Sequence, residues 1–402
     1  MRRLSIVTNT DGTILVIPRE RNLVRLYVPV QTIEAGTSGR FDRSSITLDM
    51  IRKRVQAIFS PYTFDFKICD WWTAYQVGQR IAPTFTKGNR VFLAGDAVHT
   101  HSPKVGLGMN MSMQDGFNIG WKVALVAAGV ASPVILGTYD EERHRLAEML
   151  LDFDRHWSGH FTETELGPEE GAKKAQMMQK VAELFEEFAD GLRSFYGASP
   201  LVWKNEGEEG PPFARGMIPG ERLQAVKLRN QADGNVKWTT RLLESDGRFR
   251  LVILAGDMRD ATQKQRVEAL GQFLGHGGKL AKTIKQRYAS IPQFESPLDI
   301  FTIHSSPWQE VEYFDFSESV RSVDPVMGWD YNAVWCDDAC VWDRDCDGKG
   351  YEKWGVDRVR GAMLIVRPDQ YIGWVGELED VDEMTRYLDG FLMQKIGIES
   401  SQ

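Results

Sequence analysis

The chain is poor in cysteine, with four in 402 residues: Cys69, Cys336, Cys340 and Cys346. Four are too few for a disulfide scaffold and fit a reducing compartment. No CxxC pair occurs, so dithiol redox exchange is not expected. Positive charge is in deficit, 48 Lys and Arg against 56 Asp and Glu, for a net charge of -8. Nucleic acid and anionic membrane are therefore not expected as partners. Long hydrophobic runs are missing too. Leu4–Val7 is too short for a signal-peptide core. The longest mostly apolar stretch, Val123–Gly137, is broken by Ser132 and Pro133. It falls short of the roughly 20 residues a membrane span needs. A cytoplasmic protein is the expectation. There is no solenoid repeat and no G-x-G-x-x-G; GHGGK at Gly275–Lys279 is a poor imitation of it.

What is present is the mix of an ordinary globular protein, 42% hydrophobic and 26% charged residues, long enough for two or three domains. LSIV, Asp11-Gly12 and TILVIP spell a β-hairpin, and LVRLYVPV adds another strand run. Leu48–Phe59 has helical spacing and stops before Pro61. RVFLAGD, residues 90–96, reads as a buried strand, and Gly108–Gly129 as a long helix. Thr138–Glu141 reads as a capping box starting a helix with Leu146, Leu150, Phe153 and Trp157 on one face. A further amphipathic helix is expected from about Lys174 to Tyr196, and Asn205–Pro212 as a linker. Beyond it, residues 248–257, 298–305 and 361–368 are strand runs, with helix-like segments between the first two and after the third. That alternation predicts a separate α/β domain.

The densest chemical signal is Arg90–Gly129. A strand there delivers Asp96 to a sheet's carboxyl edge, where α/β folds bind ligands. A carboxylate so placed can accept hydrogen bonds from sugar hydroxyls. Gly106 and Gly108 allow close backbone approach to a flat ligand, and the following helix aims free N–H groups and its positive dipole end at the loop. Strand–turn–helix units with glycines also occur without any cofactor. A second copy of ILAGD, Ile253–Asp257, lacks the downstream His, Pro and Gly-x-Gly pattern and is expected to be a plain strand end. Arg25 and Tyr27 are two apart on a strand and share a face, with Arg19 across a short turn; arginines on sheets more often point at solvent. Trp71, Trp72 and Tyr75 read first as core aromatics, or else as walls of an aromatic cavity. His99 and His101, without a carboxylate cluster, make a weak metal signal. Asp343, Asp345, Asp347 and Gly348 resemble the start of a calcium loop, but the twelfth position is Trp354, so a solvated acidic turn is expected. The C-terminal cysteines lack zinc spacing.

The segment RVFLAGDAVHTHSPKVGLGMN resembles the second FAD motif of class A flavoprotein monooxygenases, most closely the phenol hydroxylase (phenol 2-monooxygenase) branch. PRE followed by LVR-x-Y is similar to that branch's active-site strands. GRFRLVILAGD and GAMLIVRPDQYIGW resemble its thioredoxin-like C-terminal domain. The resemblance implies an α/β and α+β fold: the C-terminal part of a Rossmann-like FAD-binding hydroxylase with a substrate β-sheet, then a thioredoxin-like domain. The implied parts are 1–75 (substrate sheet), 76–165 (FAD-binding portion), 166–210 (helical connection) and 211–402 (thioredoxin-like). It implies FAD as cofactor and NADPH as reductant. Asp96 is implied to bind ribose or ribityl hydroxyls, Pro103 to lie beside the flavin C4a edge, and Gly106, Gly108, Met109 and Asn110 to line the pyrimidine end of the flavin. Tyr27 is implied as partner of the phenolic oxygen, with Arg19 and Arg25 beside it. Leu107 departs from the polar residue usual there.

The implied reaction is hydroxylation of a phenolic ring ortho to its hydroxyl through a flavin C4a-hydroperoxide, by a homodimer that uses no metal. The branch's first nucleotide-binding segment, with its G-x-G-x-x-G, is expected to be absent, as is the mid-chain Asp-Gly motif. The isolated chain is therefore expected to hold FAD poorly. Two rivals stand beside this reading. One is a non-catalytic remnant serving as a binding or dimerisation module. The other is a hydroxylase of a larger polyphenol or polyketide.

Overall fold

The computed structural model describes residues 5–30, 45–74, 78–102, 107–160, 194–203, 210–275, 297–321, 323–324 and 328–392. The chain divides into two compact units. The first comprises Met1–Phe85, Leu93–Asp115 and Arg143–Phe185; the second comprises Thr86–Phe92, Gly116–Glu142 and Glu186–Gln402.

The first unit opens with the expected hairpin. The Asp11 N–H donates to Asn9 Oδ1 at 2.8 Å, an Asx turn. It joins β1 (Ser5–Asn9) to β2 (Gly12–Pro18), and β3 (Val24–Tyr27) pairs with β2. Strand alternation puts Ile14 and Val16 on one face. Both are fully buried with Val55, Ile58 and Phe59 of α1 (Leu48–Phe59). Each such side chain contributes about 1.5–3 kcal/mol, and a three-stranded sheet needs one covered face of this kind. The Thr47 hydroxyl caps α1 by accepting from the Met50 N–H, and Ser60–Pro61 follows its end. Trp71 and Trp72 are not core aromatics: they are 72% and 41% exposed, on a segment, residues 63–74, that forms neither helix nor strand. Tyr75 lies outside the described residues.

Next come β4 (Arg80–Ile81), β5 (Thr86–Lys87), β6 (Val91–Phe92) and β7 (His99–Thr100). β4 pairs with β7 in the first unit, and β5 with β6 in the second. The expected buried strand over 90–96 is only partly realised. Two residues pair, and Val91 and Leu93 remain 54% and 44% exposed, because among the described residues β6 has only β5 beside it. Helix α2 runs Gly108–Ala127 as expected, and α3 runs Val134–His160. The capping box at Thr138 is not formed. The Thr138 hydroxyl donates to Ile135 O within the helix, which starts four residues earlier, after Ser132 and Pro133; proline fits a helix's first turn. Leu146 and Leu150 are buried as the periodicity demands. The side chain of Trp157, and the helix expected over most of 174–196, lie outside the described residues; so does most of the expected linker.

The second unit carries β8 (Lys227–Asn230), β9 (Val236–Trp238), β10 (Phe249–Gly256), β11 (Leu298–His304), the pair β12–β13 (Val323–Asp324, Gly328–Trp329), β14 (Val334–Cys336), the pair β15–β16 (Ala339–Cys340, Asp343–Asp347), β17 (Ala362–Val366) and β18 (Ile372–Gly376). Seven form one sheet in the order β18-β17-β10-β11-β14-β8-β9. β10, β11 and β14 run parallel, and β17 and β18 antiparallel to their neighbours. A helix at Ala261–Leu274 makes the crossover from β10 to β11, and one at Val381–Asp389 follows β18. The segment after 368 thus forms a strand before its helix. β10 is buried along its whole length. Phe249, Leu251, Ile253 and Ala255 enter one core, and Val252 and Leu254 the other, the pattern of a strand covered on both faces. The Asp343–Asp347 run is a strand and not a turn, though largely exposed as expected: Asp343 and Asp345 both pair with Lys227 at 2.8 Å. No helix among the described residues is long and apolar enough to cross a membrane.

Candidate active site

The turn after β6 is built around one buried carboxylate. Gly95 has φ +61, a region open mainly to glycine. A Cβ there would stand 2.7 Å from Ser112 Oγ, so only glycine lets the turn press against the first turns of α2. Asp115, on α2 and fully buried, accepts from the Gly95 N–H at 3.0 Å through Oδ2. The same oxygen is 2.9 Å from His99 Nε2, and Oδ1 accepts from Arg143 Nε at 2.7 Å. Burial pushes the Asp115 carboxyl up, but His99, Arg143 and the Gly95 N–H together hold it below its ordinary value. Its neighbour in the turn, Asp96, is exposed and makes no hydrogen bond or ion pair among the described residues.

The far end of the loop is tied in the same way. Ser102 donates its N–H to Asp154 Oδ2 at 2.8 Å and its hydroxyl to Asp154 Oδ1. Gln79 donates to the same carboxylate at 2.7 Å. Between these anchors, His101 Nε2 is buried and has no hydrogen-bond partner among the described residues. Burial, opposed by Asp154, holds its pKa below the ordinary histidine value. A Cβ on Gly108 would stand 2.6 Å from His101 Cε1. Met109 is 71% exposed and Asn110 is exposed. Pro103 and Gly106 lie outside the described residues.

These features fit a flavin-holding loop. An outward carboxylate, two glycines that no side chain could replace without displacement, an orphaned ring nitrogen and the free N–H groups of a 20-residue helix converge at one helix start. Such a start favours anionic or electron-rich ligands.

The substrate-strand candidates separate. Tyr27 pairs with Leu15 and Arg25 with Ile17, so all four share the sheet face turned away from α1. Neither the Arg25 nor the Tyr27 side chain has a hydrogen-bond or ion-pair partner among the described residues. Arg19 instead pairs with Glu20 at 3.1 Å, on a turn where Arg21 and Asn22 have φ of 57° and 59°.

The sequence reading missed Asp115, Arg143 and Asp154. A signal existed. Asp115, Asn118 and Lys122 recur at helical spacing inside an otherwise apolar segment, and buried polar residues so placed need partners.

Residues 194–396 match the family described as phenol hydroxylase, C-terminal dimerisation domain, and residues 3–154 match an FAD binding domain. The chain belongs to the phenol hydroxylase family of FAD-dependent aromatic monooxygenases. The family's FAD binding domain here carries the Asp96 turn and the Tyr27 strand, and its dimerisation domain carries the seven-stranded sheet. Phenol 2-monooxygenase fsqG of Aspergillus fumigatus is 36% identical over 391 residues, covering 97% of this chain and 62% of that protein. The 3-hydroxybenzoate 4-monooxygenase of Comamonas testosteroni is 31% identical, covering 96% and 61%. The chain therefore spans about 62% of the length of such relatives. Among solved structures, the flavin-dependent monooxygenase PieE in complex with FAD and substrate aligns with a TM-score of 0.56 at 18% identity, over 96% of this chain and 62% of PieE. OxyS anhydrotetracycline hydroxylase from Streptomyces rimosus aligns at 0.54 and 20% identity, over 96% and 59%. At these identities they establish likeness of fold.

Proposed function

We propose that this chain forms the flavin-loop and substrate-sheet part of an NADPH-using, FAD-dependent monooxygenase that hydroxylates a phenolic ring ortho to its hydroxyl. The observation that carries the reading is the Asp96 turn, locked under the start of α2 by Asp115. FAD, held by these residues, would supply the oxygen-activating chemistry, with NADPH as the reductant. The chain's own residues bind, orient and polarise. Asp96 accepts from ribityl or ribose hydroxyls. The Gly108–Asn110 backbone would meet the ring system and offer its positive helix end to negative charge there; Pro103 and Gly106, outside the described residues, are proposed as further contacts. Tyr27 donates to the phenolic oxygen. Arg25, on the same face, favours the ionised phenol, and ionisation raises electron density at the ortho carbon. Leu15 and Ile17 give the ring an apolar floor. Arg19 borders the site.

The same reading includes the division into 1–75, 76–165, 166–210 and 211–402. The last part is a thioredoxin-like scaffold without redox chemistry, supported by its β-α-β crossover, antiparallel β17–β18 hairpin and closing helix. It also includes a cytoplasmic homodimer formed through that part.

The test, made on a full-length protein that joins this chain to the family's first nucleotide-binding segment, is FAD binding followed by quenching of flavin fluorescence, with catechol formation measured by chromatography. We expect Asp96→Ala to weaken FAD binding at least tenfold, the effect of losing a charge-assisted hydrogen bond of about 1.5–3 kcal/mol. Unchanged affinity, or turnover of NADPH without any hydroxylated phenol, overturns the reading.

A further inference from the structure

Near one edge of the seven-stranded sheet stands a cation that is stacked but not paired. Strand alternation turns Leu228 and Asn230 of β8 into the protein and Lys227 and Arg229 outward. The β15–β16 hairpin crosses that outward face. Its Asp343 and Asp345 neutralise Lys227, and no carboxylate among the described residues does the same for Arg229. The Arg229 guanidinium carbon lies 3.8 Å from the ring centroid of Trp308 and 5.7 Å from that of Trp342. Its Nε is buried and has no hydrogen-bond partner among the described residues. Nη1 and Nη2 reach the surface, and no hydrogen bond or ion pair among the described residues engages them.

The surroundings hold this group in place. Trp308 is fixed at three points: its backbone N–H donates to Asp338 Oδ2 at 2.9 Å, its Nε1 donates to Asn230 O at 3.0 Å, and its carbonyl accepts from Gln231 Nε2 at 3.2 Å. The turn at Gly234 borders another side, where a Cβ would stand 3.5 Å from both Nε and Nη2 of Arg229. The carboxylates of the neighbouring turns are engaged. Asp338 accepts from the Ala339 N–H as well, and Asp233 from the Asn235 N–H and side-chain amide. Trp342 and Val341 form the turn of the hairpin and are 76% and 93% exposed, so most of the Trp342 indole is free beside the cation.

We propose that Arg229, Trp308 and Trp342 form a binding site for a small aromatic carboxylate, apart from the flavin loop. With Nε sealed, a ligand meets the guanidinium end-on, through Nη1 and Nη2 together. Two parallel N–H donors in a rigid fork match the two oxygens of one carboxylate. The Trp308 ring holds the guanidinium by cation–π attraction without neutralising it, and the ligand supplies the missing negative charge. A ring attached to that carboxylate covers the free Trp342 indole. Inorganic phosphate would use the charge and leave Trp342 bare. The three residues lie in the second unit, and the site needs no bound flavin.

The experiment is calorimetric titration of benzoate into the full chain, without FAD and at low ionic strength. Wild type should bind it saturably, with a dissociation constant of about 1 mM or below. Arg229→Gln should raise that constant at least tenfold, the loss of a charge-assisted pair of hydrogen bonds. Trp342→Ala should raise it at least threefold; at an exposed turn, it carries the test where Arg229→Gln fails to fold. Arg25→Gln, in the first unit, should leave it within twofold. Benzamide, a ring without charge, and acetate, a charge without a ring, should each bind at least tenfold more weakly than benzoate. Absence of saturable binding by wild type overturns the site. So does binding that Arg229→Gln and Trp342→Ala leave within threefold, or that Arg25→Gln removes, which would put benzoate on the β1–β3 sheet. Acetate binding as tightly as benzoate would mean a contact for acidic side chains of another protein and also overturns the proposal.

Discussion

Arg367 and Glu142 lie 225 residues apart and form a two-pronged buried ion pair, Nη1 to Oε1 at 2.7 Å and Nη2 to Oε2 at 2.9 Å. Lys122 donates to Glu142 Oε2 at 2.7 Å, and Arg367 also pairs with Asp369 at 2.7 Å. Two cations and two anions thus cancel inside the second unit, linking α2 and α3 to the end of β17. Removing one partner of such a group leaves an uncompensated charge, at about 3–5 kcal/mol. Glu142→Gln and Arg367→Met should each lower the urea midpoint accordingly. The double variant should lose clearly less than the sum, because the two changes share one interaction. Additive losses would show that the pair is not coupled.

Acid should destabilise the protein in two stages. Burial holds His304 at about 4 against an ordinary 6.5. Between those values the unfolded chain binds a proton that the folded chain refuses, so stability falls as pH drops through that window. Burial pushes Glu142 up, but Arg367 and Lys122 outweigh it and hold the carboxyl at about 2 against 4.5. Its contribution is present above 4.5 and is lost as pH falls toward 2. Denaturation midpoints across pH 3 to 8 should show His304→Gln flattening the upper stage and leaving the lower.

Two glycines with the same left-handed backbone should respond differently to alanine. Gly88 has φ +59 and open space around it, whereas Gly95 faces Ser112. Gly88→Ala should cost about 1–2 kcal/mol from backbone strain. Gly95→Ala should add about 1–3 kcal/mol of overpacking and, alone of the two, reduce bound FAD. Equal stability and equal flavin content in the two variants would refute the role given to the Gly95–Ser112 contact.

In a full-length protein that joins this chain to the family's first nucleotide-binding segment, Tyr27→Phe should lower kcat for phenol hydroxylation by about 10- to 100-fold, the worth of one hydrogen bond to a charged oxygen. FAD content should not change, because Tyr27 lies on β3 and outside the flavin loop. Flavin loss with unchanged turnover per bound flavin would reassign the residue.

Thiol labelling separates the cysteines. Cys69 is exposed, and Cys336, Cys340 and Cys346 are buried. Burial, with nearby Asp338, pushes the Cys336 thiol well above its ordinary range, and burial pushes Cys346 up to about 11. Since the thiolate is the reactive form, a disulfide reagent at pH 8 should label one thiol in the folded chain and four after unfolding. Insulin reduction should not be catalysed.

The sequence by itself determined the local elements and the family. Asp11-Gly12 set the first hairpin, and the apolar spacing of Leu48–Phe59 set α1. The Arg90–Gly129 motif marked the turn and helix of the FAD binding domain, because those signals are backbone requirements carried by neighbouring residues. It also showed that Arg25 and Tyr27 share a face, since strand alternation is a local rule. The tertiary structure decided what depends on partners distant in the chain. Asp115 became the anchor of the Asp96 turn only when Gly95, His99 and Arg143 met it. Arg19 turned to Glu20, and the Thr138 capping box became helix interior. Arg367 and Glu142 carry no short-range pattern. Burial and pairing of a charge are settled by which segments fold against it, and no window of neighbouring residues contains that information.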